Sequence, residues 1–68
     1  MNMNQRETAR IEFAGRAMQG LLSNTRYIEN KARNAKDDKE FVHNIVADSV
    51  EMADALIAEL EKKGGSHE

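Results

Sequence analysis

Apolar residues recur at helical spacing in two long stretches of this chain, one near each end. In the first stretch, the side chains that share one helix face are Ile11, Ala14, Met18, Leu21 and Leu22, with Phe13 and Ala17 widening the stripe. This period predicts an amphipathic helix over residues 4–22. Gly15 and Gly20 lie inside it, where each costs roughly 1 kcal/mol relative to alanine. Close approach of another backbone is one explanation for Gly15, whereas a nearby helix end explains Gly20 more simply.

The second stretch predicts a longer helix over residues 37–63. Its apolar positions are Phe41, Val42, Ile45, Val46, Val50, Met52, Ala53, Leu56, Ile57 and Leu60. They spread over a wider arc than one partner helix needs, with Asp48 and Asp54 expected on the outer face. Asp37 can cap the free amides at the start, and Glu40 stands three residues later in the capping-box position.

The polar connection between these stretches has a pattern of its own. Ser23, Asn24 and Thr25 favour a break, because their side chains compete for backbone hydrogen bonds. Beyond the break, the positions that recur at i, i+1, i+4, i+5 and i+8 are Tyr27, Ile28, Lys31, Ala32 and Ala35. This spacing predicts a short amphipathic helix, with a partly ordered connection as the alternative.

Together these elements predict an all-α fold, a hairpin of two long helices with a short middle helix. We expect one domain over residues 1–63, since Gly64 and Gly65 should stop the last helix and leave 64–68 as a disordered tail. The 68 residues include no cysteine and three aromatic side chains, so the core is small. The wide apolar arc of the second long helix therefore points to self-association into a dimer or a higher bundle.

Charge is distributed unevenly along the chain. The net charge is -2, which disfavours a general nucleic-acid binder. Residues 26–36 are basic, whereas residues 37–61 are strongly acidic. This asymmetry predicts electrostatic pairing of the second long helix, within one chain or between copies. The N-terminus is polar and the uncharged stretches are short, so we expect no signal peptide, no membrane span and a cytoplasmic location.

Side-chain patterns for catalysis or metal binding are weak. His43 follows Glu40 by three residues, but an exposed histidine paired with a carboxylate explains this better than half of a metal site. Ser23, Thr25 and Ser49 have no activating base at a recognisable spacing. The glycines form no phosphate loop. We therefore expect a protein that is not an enzyme and that needs no metal or cofactor.

A basic cluster in the connection is the main candidate for a binding site. Its members are Arg26, Tyr27, Lys31, Arg33 and Lys36, with Arg16 and Gln19 near it across the turn. Arginine binds phosphate in a bidentate manner, and a tyrosine ring stacks on a nucleobase. The alternative is a basic face that pairs with the acidic helix. In a symmetric oligomer, copies of such a cluster could enclose a small anion.

The phrases FAGRAMQGLL, at residues 13–22, and IVADSVEMADALI, at residues 45–57, resemble a widespread group of very small phage and prophage proteins. Its members typically read FAAKAMQGLLA near the start and IA..A...ADALI near the end. The resemblance covers about half of the chain and rests on packing residues, so it implies fold and origin. This chain departs from the group in its longer and more basic middle segment.

A phage origin implies a binding function. The leading hypothesis is a counter-defence protein that sequesters a cyclic nucleotide signal at an oligomer interface. Arg26, Lys31 and Arg33 would hold the phosphates, Tyr27 would stack, and Gln19 would read a base edge, with Arg16 as a further ligand-binding residue. The alternative is an inhibitor or regulator that docks its helical surface on a host defence protein. The acidic second helix disfavours DNA binding.

Overall fold

A computed structural model of the protein contains three α-helices, α1 (Met3–Leu22), α2 (Thr25–Asn34) and α3 (Asp38–Ser66). It describes residues 1–66, with side chains up to Lys62. No strand occurs in that part of the chain, so the predicted all-α class is confirmed. α1 and α3 run antiparallel along each other, α2 contacts both, and the molecule measures 47 × 21 × 16 Å.

Side-chain caps fix the ends of α1. The Gln5 amide donates to Asn2 Oδ1 at 2.8 Å, and the Asn2 amide donates to Gln5 Oε1 at 3.1 Å. This capping box starts α1 at Met3, one residue before the predicted start. At the other end, the Ser23 hydroxyl donates to the carbonyl of Gly20 at 2.8 Å, which confirms the predicted break.

The middle segment is a helix, as its spacing predicts. Asn24 caps α2, because its Oδ1 accepts from the Tyr27 amide at 3.0 Å. α2 ends at Asn34, where the Ala35 amide donates to the carbonyl of Ala32. The helix of ten residues has no fully buried side chain. Its position therefore depends on a few contacts with α1 and α3.

The start of α3 follows the predicted cap with one difference. Asp37 Oδ1 accepts from the Glu40 amide at 2.8 Å. Glu40 Oε1 accepts from the Lys36 amide at 3.3 Å, one residue before the amide that a capping box would use. The Glu40 carboxylate thus links the first turn of α3 to Lys36, which precedes the helix.

The end of α3 differs from the prediction. The helix continues through Gly64 and Gly65 to Ser66, so the expected end at Lys63 is three residues too early. Glycine weakens a helix by about 1 kcal/mol but adopts its dihedral angles readily, so a favourable preceding helix can continue through it. Residues 67–68 and the side chains beyond Lys62 lie outside the described part. The expected disorder of 64–68 stays a prediction.

The core is a single row along α3 in which every fourth residue is covered. Ile45, Ala53 and Ile57 are at most 3% exposed, and Ser49 lies between them with its hydroxyl donating to the carbonyl of Ile45 at 2.8 Å. Phe41 extends the row with partial exposure. The apolar arc of α3 is wider than this row, as the sequence predicts. A single chain therefore covers only part of it.

One side of the α1–α3 pair carries an apolar groove. The groove lining consists of Phe13, Arg16, Ala17, Met52, Ala53 and Leu56. Met52 and Leu56 precede the buried Ala53 and Ile57 by one residue, which places them together on this side of α3. Met52 is 50% exposed and Leu56 46%. We call this the groove face.

The opposite side is also apolar, and we call it the open face. Its residues on α1 are Ile11, Gly15, Met18 and Leu22, each of which follows a residue of the side that faces α3, namely Arg10, Ala14, Ala17 and Leu21. Its residues on α3 are Val42, Val46 and Val50, which follow the covered row by one position. In an antiparallel pair these positions lie on one side. Ile11 is 72% exposed and Val42 56%. A Cβ atom at Gly15 would meet nothing within 4 Å, so the close backbone approach considered for Gly15 does not occur within this chain.

Candidate functional site

Tyr27, Lys31 and Asp48 form a polar cluster where α2 meets α3. The Tyr27 hydroxyl donates to Asp48 Oδ2 at 2.5 Å, and Lys31 Nζ lies 2.9 Å from the same oxygen. Lys31 Nζ also lies 5.5 Å from the centre of the Tyr27 ring, within the range of a cation–π contact. One carboxylate of α3 thus binds two side chains of α2.

The cluster shifts the protonation equilibria of its members. Burial raises the pKa of Tyr27 to about 12, with a further contribution from the hydrogen bond to Asp48. The hydrogen bond from Tyr27, followed by that from Lys31, lowers the pKa of Asp48 below its ordinary value. At neutral pH, Asp48 is therefore charged and the Tyr27 hydroxyl keeps its proton. The cluster carries one negative and one positive charge.

The structure brings two of the six predicted ligand-binding residues together. Tyr27 and Lys31 meet through Asp48, a residue that the sequence placed on the outer face of α3. That placement was wrong, because Asp48 precedes the buried Ser49 and lies at the edge of the contact row. The acidic character of α3 was the available signal for this pairing, but it did not single out Asp48.

The other four predicted residues lie apart from the cluster. Arg26 and Arg33 are exposed and share the side of α2 that faces away from Tyr27 and Lys31, since seven residues are about two helical turns. Arg16 lines the groove, and its Nη2 lies 3.0 Å from Glu12 Oε1. Gln19 is exposed and lies about half a turn around α1 from Arg10, which contacts α3. A single chain does not gather these residues into one pocket.

Ion pairs also join α1 to α3. Arg10 binds Asp54 through two hydrogen bonds, Nε to Oδ1 at 2.7 Å and Nη2 to Oδ2 at 3.3 Å. Arg6 Nη2 lies 3.4 Å from Glu61 Oε1. The hydrogen bond from Arg10 lowers the pKa of Asp54 and raises that of Arg10 itself. The predicted pairing of the acidic helix with the basic middle segment occurs within the chain through Lys31, whereas the ion pairs with arginines of α1 were not predicted. Asp54 is exposed, as predicted, and lies at the edge of the contact between α1 and α3.

The groove has a volume of about 460 Å³. A second depression of about 280 Å³ adjoins it at Met52 and is lined by Leu21, Tyr27, Asp48, Glu51, Met52 and Ala55. The two together follow α3 from Asp48 to Leu56, which is about 12 Å at 1.5 Å per residue. The apolar floor of the groove face therefore continues into an acidic end next to the polar cluster.

Features that would suit other functions are few in the described residues. No three His, Asp or Glu side chains among them converge as metal ligands would. His43 and Glu40 border a shallow surface depression with Asp37 and Lys39. Across residues 1–66, none of the helices combines the length and the hydropathy that crossing a lipid bilayer requires.

Comparison with known proteins adds no family assignment. No protein-family model, no curated protein and no solved structure matches this chain.

Proposed function

We propose that the protein is a non-enzymatic binding protein that takes up a helix of another protein in its groove face. The observation that carries this proposal is the half-exposed pair Met52 and Leu56 beside Phe13, in a groove of about 460 Å³. An amphipathic helix buries two or three apolar side chains in such a groove. Burying one Leu or Met side chain contributes about 1.5–3 kcal/mol.

The charges around the groove define the chemistry of the partner. Glu51 is exposed at the acidic end, next to Asp48, whose charge Lys31 offsets. Arg16 lies on the α1 edge, where Glu12 already pairs with it. The net field at this end is negative, so the partner helix should carry lysine or arginine next to its apolar side chains.

The resemblance to phage and prophage proteins suggests that this partner is a host protein, met in the host cytoplasm. We further propose that the helical hairpin of α1 and α3 self-associates. The support is the small core, in which Ile45, Ala53 and Ile57 are the fully covered apolar side chains of the described part, beside two apolar faces.

Affinity capture from bacterial host lysate tests the proposed partner. The wild-type protein should retain one protein at about equal molar amount, and Leu56→Asp should lose it. Ala47→Asp adds the same charge at an exposed position of α3 and should retain it. The Arg26→Ala/Arg33→Ala double variant should also retain it. Retention by Leu56→Asp, or no partner for the wild-type protein, would contradict the proposal.

Nucleotide sequestration is the second candidate. The observation in its favour is that Arg26 and Arg33 are both exposed on one side of α2, about 10 Å apart along the helix axis. Asp48 weighs against a nucleotide site at Tyr27. Its carboxylate already accepts the hydrogen bond of the Tyr27 hydroxyl and compensates the positive charge of Lys31. Calorimetry with cyclic di- and trinucleotides decides this candidate. Binding heat that disappears in the Arg26→Ala/Arg33→Ala variant would support nucleotide sequestration. An absence of binding heat with every cyclic nucleotide would refute it.

A further inference from the structure

The open face carries an arrangement on α1 that the fold of one chain covers only in part. Ile11, Gly15, Met18 and Leu22 follow each other at intervals of four, three and four residues, which is the spacing of a helix–helix seam. Ile11 and Leu22 are 72% and 53% exposed. Gly15 lies in the middle of the helix, where it lowers helix propensity, and the space above it is open.

The open face has the area and composition of an interface. α1 is about 30 Å long at 1.5 Å per residue, and two packed helices of about 10 Å diameter are about 20 Å across, so the face of the pair covers about 600 Å² before corrugation. A stable interface buries about 800 Å² of accessible surface per partner. The seam positions on α1, with Val42, Val46 and Val50 on α3, carry no charge, and interface centres are depleted of charged residues. Asp54, which continues the α3 row after Ala53, is charged and pairs with Arg10. α2 lies on the groove side, next to Asp48, and leaves the open face uncovered.

We infer that a second copy of this chain covers the open face through a twofold axis, with α1 antiparallel to α1 of the second copy. In this register Ile11 contacts Leu22 of the second copy, and Met18 of the second copy occupies the space above Gly15. Each contact occurs twice, as in an isologous interface. The inference rests on the proposed self-association and names its surface.

The pairing of α1 with α3 supports the same axis independently. Arg10 lies level with Asp54. The midpoint between Gly15 and Met18 lies about six residues further along α1, and about six residues back along antiparallel α3 is residue 48. Residue 48 is midway between Val46 and Val50 of the open face. One twofold axis therefore pairs Val46 with Val50 of the second copy at the same time, so α3 also contributes an apolar pair on either side of the axis. The same register places Val42 opposite Asp54 of the second copy, whose carboxylate Arg10 binds.

An exchange of the large and small side chains tests this register by sedimentation equilibrium. Gly15→Met places two methionines in one space and should weaken dimerisation at least tenfold. Gly15→Met/Met18→Ala moves the large side chain to the other position and should restore most of the affinity. Circular dichroism should show that both variants are folded, because methionine and alanine favour helices more than glycine does.

Gly20→Met is the matched control, since a Cβ at Gly20 also meets nothing within 4 Å but lies off the open face. It should leave the dimer unchanged. A dimer of unchanged affinity in Gly15→Met would overturn the inferred interface and leave self-association standing. A wild-type chain that stays monomeric would instead remove the proposed self-association.

Discussion

The Tyr27 hydroxyl donates a hydrogen bond to Asp48 and thereby joins α2 to α3 across 21 residues of sequence. Lys31 reaches the same carboxylate one turn further along α2. α2 buries no side chain completely, so these two contacts with Asp48 are important for holding α2 against α3.

Tyr27→Phe should lower the free energy of unfolding by about 1 kcal/mol, because a hydrogen bond to a charged group is lost while Lys31 still compensates Asp48. The expected cost is modest because the Asp48 side chain is 33% exposed. Urea denaturation measures the loss, and amide hydrogen exchange should show that α2 opens first. Glu29→Gln, at an exposed position of the same helix, is the control. Equal stability of Tyr27→Phe and the wild-type protein would refute the role of this bond.

Alkaline pH should reveal the environment of Tyr27. The chain has one tyrosine and no tryptophan, so tyrosinate absorbance reports this residue alone. The folded protein should titrate near the raised pKa of about 12, against 10.0 for an ordinary tyrosine. Because the folded pKa is the higher one, stability is complete below pH 10 and declines as the pH rises toward 12. Asp48→Asn should bring the midpoint closer to 10, and an unchanged midpoint would contradict the role of Asp48.

Acid should destabilise the fold through Asp48 and Asp54. Both have a folded pKa below the ordinary value of 3.8, so the unfolded chain takes up protons first. Their contribution is therefore complete well above pH 4 and is lost as the pH falls through 3.8 to the folded values. Thermal melts between pH 7 and pH 2 measure it. The Asp48→Asn/Asp54→Asn double variant should show a shallower decline, and a parallel decline would assign the acid sensitivity to other carboxylates.

Ile57→Ala should cost about 3 kcal/mol, because it empties a site that is 1% exposed in a core of few side chains. A domain of this size has a total stability of only about 5 kcal/mol, so the variant should retain about 2 kcal/mol and unfold at a much lower urea concentration than the wild-type protein. Leu60→Ala, at a position that is 44% exposed, should cost well under half as much. Urea denaturation followed by circular dichroism compares the two variants. Equal losses of unfolding free energy would contradict the placement of Ile57 in the core.

The helices themselves could be predicted from sequence because their signals are local. Asn24 caps α2, and Asp37 caps α3, through contacts three residues along the chain. The C-terminal end of α3 was harder to predict. Its two glycines lower the helix propensity, but by amounts that a long preceding helix can tolerate.

The candidate site was less accessible to sequence reasoning, because its geometry depends on how three helices turn relative to one another. Tyr27 and Lys31 are four residues apart, so their common side could be predicted. Their partner Asp48 could not, because residue type alone does not distinguish it from Glu51 or Asp54. Arg26 and Arg33 are close to Tyr27 in sequence yet lie on the other side of α2. The basic cluster predicted from closeness in sequence is therefore larger than the cluster in the structure.

The row of covered residues on α3 has a geometric consequence for the whole architecture. A step of four residues turns by 40° more than one full helical turn, so the row rotates by about 160° between Phe41 and Ile57. One straight neighbour cannot follow a stripe that rotates this far. A second neighbour is needed, and α2 supplies it next to Asp48. The short middle helix therefore has a structural role beside the row, and replacing it with a flexible linker of equal length would remove the contacts of Tyr27 and Lys31 with Asp48.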